Sequence, residues 1–168
     1  MSGAPSFDVQ SAHRFFAADC FNRAWDLIDK PDRTADDDRQ MIALSQASVF
    51  HWRQRGDVTD RNLSVGYWQI SRVYALLGQA AEARRNAEIS LDYARDLQPF
   101  ILGYALEGVA RAALLAGARD EAAGFIETAR ERAAAVTDAE NQALLIADLD
   151  ALSAQLAQSA NPADSART

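Results

Sequence analysis

Few side chains in this sequence are equipped for chemistry, and the most suggestive of them fall at helical spacing. Val65, Trp68, Arg72 and Ala75 follow one another at intervals of three, four and three, which puts them on one face of a helix. Tyr104, Glu107, Arg111 and Leu114 repeat that spacing 39 residues later. Arginine presents a planar fork that meets a carboxylate at two points, and tryptophan and tyrosine offer flat amphipathic faces. The chemistry implied is recognition rather than catalysis, since Trp, Tyr and Arg together are the composition of an interaction hot spot. Glu107 is placed to bond Arg72 or Arg111 while no partner is bound. A second arrangement satisfies the same stripe: Trp68 packs against the preceding helix and Arg72 only salt-bridges Glu107.

A second group, His51, Trp52 and Arg53, lies in the stretch VFHWRQRGD. His51 shares a helix face with Leu44 and Ala47. It is read either as a partly buried histidine with a satisfied ring or as a functional one. Trp52 is expected to pack against the following helix across a short turn, with Arg53, Arg55 and Arg61 clustered nearby.

Catalytic signatures are otherwise scarce. No glycine-rich phosphate loop and no G-x-S-x-G nucleophile setting occur. His13, His51 and Cys20 lack metal-ligand spacing, so neither a metal nor a cofactor is expected. Cys20, the single cysteine, excludes an intrachain disulfide and reads as a packing residue on an apolar helix. The acidic run ADDDR at 35–39 suits the positive end of a helix dipole.

The elements that must position these residues are helices. Alanine dominates the apolar set and β-branched residues are sparse, which favours helix over strand. Ser6, Thr34 or Asp36, and Asp60 are candidate caps for the first three helices, and Pro31, Gly56 and Gly78 end them. A fourth helix follows through QAAEARRNAEISLDYARDL. A fifth opens on Pro99 and runs to Gly117, and a sixth covers roughly 119–136. TDAE at 137–140 matches a capping box before a seventh, which carries the stripe Leu145, Leu149, Leu152 and Leu156. That stripe either closes the core or joins two copies of the chain. Residues 157–168 lose the apolar period and read as a flexible tail after a single domain over 1–156.

The third and fourth helices align with the fifth and sixth under the same 39-residue shift, as 60–97 on 99–136. Leu63, Tyr67, Ile70, Tyr74 and Leu77 fall on Leu102, Leu106, Val109, Ala113 and Ala116. The large positions Tyr67 and Leu106 precede the small ones Ser71 and Ala110. The turn glycines Gly78 and Gly117 come next, and then the small pairs Ala83/Ala122 and Ser90/Ala129. On these residues the chain resembles the tetratricopeptide-like (TPR-like) helical repeats. It departs from them in its longer spacing, in lacking a closing proline, and in Ala113 standing opposite Tyr74. The resemblance implies an all-α fold, about seven antiparallel helices stacked as hairpins into a short right-handed α-solenoid. It also implies that the Trp68 and Tyr104 stripes line a concave surface.

Charge narrows the partner. A net charge of −7 over 168 residues speaks against nucleic acid and against anionic membranes. No apolar run is long enough to span a bilayer and no signal peptide is apparent, so a cytoplasmic location is expected. The function expected is a non-enzymatic interaction module. It would take a protein or peptide segment, an acidic one suiting the arginines, in a groove of Trp68, Arg72, Tyr104, Glu107 and Arg111. The alternative is a structural homodimer joined through its terminal helix. A small-ligand binder or enzyme using His51 is the third reading.

Overall fold

The computed structural model describes residues 6–158. They form seven α-helices and no strand: α1 (Val9–Ile28), α2 (Ala35–Arg53), α3 (Asp60–Leu76), α4 (Ala80–Ala94), α5 (Pro99–Leu115), α6 (Arg119–Ala134) and α7 (Ala139–Gln158). The all-α fold is as the composition requires, and none of the helices is long and apolar enough to cross a membrane. The tail reading at 157–168 falls almost wholly outside the described residues; α7 continues to Gln158.

Helix ends follow local chemistry. Thr34 caps α2 in a reciprocal box with Asp37, and Thr59 does the same for α3 with Asn62. The caps of α1 and α7 are Asp8, accepting from the backbone N–H groups of Gln10 and Ser11, and Asp138, accepting from that of Asn141. Three expected caps therefore move by one or two residues, from Ser6 to Asp8, from Asp60 to Thr59 and from Thr137 to Asp138. In each case a neighbouring side-chain oxygen reaches the free N–H groups from the extended backbone or from just outside the first turn. At Gly78 and Gly117 the chain turns with φ of 71° and 77°. The N–H of Gln79 donates to the Tyr74 carbonyl and that of Ala118 to the Ala113 carbonyl, both at 2.9 Å, closing two equivalent helix ends.

Sequential helices pair as α1/α2, α3/α4 and α5/α6, with α3 also against α5 and α7 against both α5 and α6. The registers are antiparallel within the hairpins. Ser48 meets Ala17 while His51 meets His13, and Ser71 meets Ala83 while Ser90 meets Ser64. Small residues make the close approaches possible. Ala17, Ala24, Ala83, Ala87, Ala122 and Ala129 are completely buried, and Ser48, Ser71 and Ser90 donate across the interfaces to backbone carbonyls at 2.8 Å.

The leucine stripe of α7 lies inside the chain. Leu145 and Leu149 pack with Leu106, Ala129 and Ala133, and Leu152 packs with Ala110 and Ile126, with Leu156 against them. Within one chain, this stripe covers the end of the α5/α6 hairpin.

Candidate functional site

Odd-numbered helices place their chemistry-bearing faces side by side, and a cavity of about 390 Å³ opens between them. Trp25 comes from α1, Trp68 and Arg72 from α3, Phe100 and Tyr104 from α5, and Asp148 from α7. Its aromatic wall is continuous. Trp25 and Trp68 lie 5.8 Å apart between ring centres, Trp68 and Tyr104 5.1 Å, and Phe100 and Tyr104 5.0 Å, the last two edge to face.

One buried carboxylate holds that wall in place. Glu107 is completely buried and accepts from the Trp68 indole N–H at 2.9 Å and from the Arg111 guanidinium. The Trp68–Glu107 bond joins two positions that the 39-residue shift of the sequence sets in register. Gly108 lets the indole lie against α5, since a Cβ there would sit 3.1 Å from Trp68 Cδ1. Glu107 and Arg111 thus lie behind the cavity, whereas Trp68, Arg72 and Tyr104 line it.

Arg72 is not the ion-pair partner of Glu107. Its guanidinium sits 5.5 Å from the Trp25 ring centre and 5.8 Å from that of Trp68, in cation–π contact with both. Its Nε and Nη1 are buried with no hydrogen-bond acceptor. Among the described residues no carboxylate comes within salt-bridge distance of Arg72; Glu107 pairs with Arg111 instead. Asp148, which lines the same cavity, accepts from the Tyr104 hydroxyl at 3.0 Å and forms no ion pair among the described residues. Burial, then the charge of Asp148 and its hydrogen bond, push the Tyr104 hydroxyl well above its ordinary value. The phenol therefore stays protonated and donates.

The second group of sequence candidates sits elsewhere, at the α1/α2 hairpin. His51 Nδ1 lies 2.8 Å from His13 Nδ1, so one ring donates to the other. Burial first, and His13 second, lower the pKa of His51 below its ordinary value. Phe16 and Phe50 flank His51 with ring centres at 5.4 and 5.3 Å. Trp52 lies beneath the Arg55 guanidinium at 4.2 Å and lines a shallow cleft with Thr59 and Asn62, at the turn into α3. Arg53 donates to the Tyr67 hydroxyl at 3.3 Å. Cys20 is buried, which raises its thiol pKa. Among the described residues no group of three or more His, Cys, Asp or Glu side chains comes together as a metal site.

Several participants escaped the sequence reading. Trp25 and Asp148 lie on α1 and α7, outside the two aligned segments, so the 39-residue register carried no information about them; Phe100 lies within the second segment but off the polar-aromatic stripe. The His13–His51 contact was accessible in principle: pairing α1 with α2 about Pro31 sets those two positions opposite each other. Comparison of the chain with known protein families, with characterised proteins and with solved structures finds no match.

Proposed function

We propose that this chain is a non-enzymatic binding module, a short right-handed stack of tetratricopeptide-like hairpins that holds a segment of a partner protein or peptide. The observation that carries this reading is Arg72. A charged guanidinium with buried, unpartnered N–H donors lines an aromatic cavity, and arginine so placed favours a ligand oxygen. Trp68 and Tyr104 supply rigid apolar surface at low conformational cost. Glu107 and Arg111 act as the frame that fixes Trp68, so the two arginines have separate roles.

Selection from a random peptide library displayed on phage tests the reading. Sequences enriched on the native chain should fail to enrich on Arg72→Ala, with far-UV circular dichroism unchanged. Enrichment that is indifferent to Arg72 refutes it.

A further inference from the structure

The cavity holds two opposite charges that do not meet. Among the described residues Arg72 Nε and Nη1 find no acceptor and Arg72 has no ion pair, while Asp148 is bonded to the neutral Tyr104 hydroxyl. Both line the same space, yet they stand farther apart than a salt bridge allows. Other charges brought together by the packing do meet, as in Arg84 with Glu121 at 2.8 Å and Arg130 with Asp150 at 2.6 Å. A simple carboxylic acid entering the cavity gains Arg72 but is repelled by Asp148. A simple amine gains Asp148 but is repelled by Arg72. A molecule carrying both charges a few ångströms apart satisfies both side chains at once.

The rest of the cavity selects what those charges are attached to. Trp25, Trp68, Phe100 and Tyr104 wall it with rings, and its volume of about 390 Å³ lies at the small end of ligand sites. That space accommodates one bulky apolar group beside the charged pair. We infer that the cavity is a binding site for a free α-amino acid with a large apolar side chain. Its carboxylate pairs with Arg72, its ammonium with Asp148, and its side chain lies among the four rings. This goes beyond the partner-binding reading, since it names a small effector that occupies the same cavity as a partner segment and competes with it.

Calorimetric titration of the whole chain with L-phenylalanine and L-leucine tests the inference, using three analogues as controls. 3-Phenylpropionate lacks the ammonium, 2-phenylethylamine lacks the carboxylate, and glycine lacks the side chain. L-Phenylalanine should bind at least about tenfold more tightly than each analogue, as expected for loss of one desolvated contact. Arg72→Met and Asp148→Asn should each weaken L-phenylalanine by about tenfold or more; the asparagine carbonyl still accepts from Tyr104. Equal affinity for 3-phenylpropionate and L-phenylalanine overturns the inference, as does absence of heat at about 10 mM ligand. The analogue series needs no variant, so it decides the question even where a substitution impairs folding. Amino-acid binding without peptide selection overturns the partner reading and leaves this one standing. Peptide selection without amino-acid binding does the reverse.

Discussion

Replacing Glu107 by leucine should be among the most damaging single changes in the chain, although the residue lies on no external surface. The carboxylate is completely buried and accepts from Trp68 and Arg111. Its loss leaves the Trp68 indole N–H buried without an acceptor, at about 1–3 kcal/mol. It also leaves Arg111 without its counter-charge. Breaking a fully buried pair costs about 3–5 kcal/mol, but the Arg111 side chain is 20% exposed, so water relieves part of that. A combined loss of about 3–4 kcal/mol follows, and for a chain of this size it lowers Tm by about 6–16 °C. Thermal and urea unfolding followed by far-UV circular dichroism measure it. The double variant Glu107→Leu/Arg111→Met removes both charges together and should recover at least half of the loss. A single variant within about 0.5 kcal/mol of the native chain would refute the reasoning, because the pair would then contribute nothing that solvent cannot replace.

Other consequences can be read from single positions. At Gly103 an added Cβ would sit 2.5 Å from Leu145 Cδ2 in the fully buried core, whereas at exposed Gly124 it meets nothing within 4 Å. Gly103→Ala should therefore destabilise by about 1–2 kcal/mol in urea unfolding through overpacking. Gly124→Ala should stabilise by about 0.5–1 kcal/mol through helix propensity, so a matching sign at both sites would contradict the packing argument. Asp37 is hydrogen-bonded to Lys30 and to Thr34, which holds its pKa at about 2 instead of 3.8. Its contribution is complete above pH 3.8 and is lost as pH falls towards 2; Asp37→Asn should flatten that limb, and a carboxyl NMR titration midpoint near 3.8 would count against it. For His51 the folded pKa lies below the ordinary 6.5, so the folded chain resists its protonation. Stability is complete above pH 6.5 and falls as pH drops below it, and His51→Gln should remove that part of the pH dependence of the urea midpoint.

How much of this could be read in advance depends on the range of the interaction. Helix ends were legible to within about three residues, α1 and α2 stopping at Ile28 and Arg53 ahead of Pro31 and Gly56, because an oxygen-bearing cap, a proline and a left-handed glycine act on the backbone next to them. The cap at Thr34 and the turns at Gly78 and Gly117 are of this kind, and the cap of α3 falls one residue before the expected Asp60. The repeat register reached further. It aligned Trp68 with Glu107, and in the folded chain those residues are hydrogen-bonded across α3 and α5.

Pairing across helices outside the repeat was beyond the sequence pattern. Periodicity states which face a residue occupies on its own helix, but not how that helix is rotated against a neighbour. That rotation buries Glu107 completely, gives it to Arg111 rather than Arg72, and leaves Arg72 in contact with two indole rings. It also brings Trp25 and Asp148 to the cavity from helices outside the two aligned sequence segments. The amino-acid order thus settles the seven helices, their ends and the faces they offer, since those rest on neighbouring backbone groups and the 3.6-residue period. Which cation and which carboxylate line the cavity rests on distances between helices, which only their packing sets.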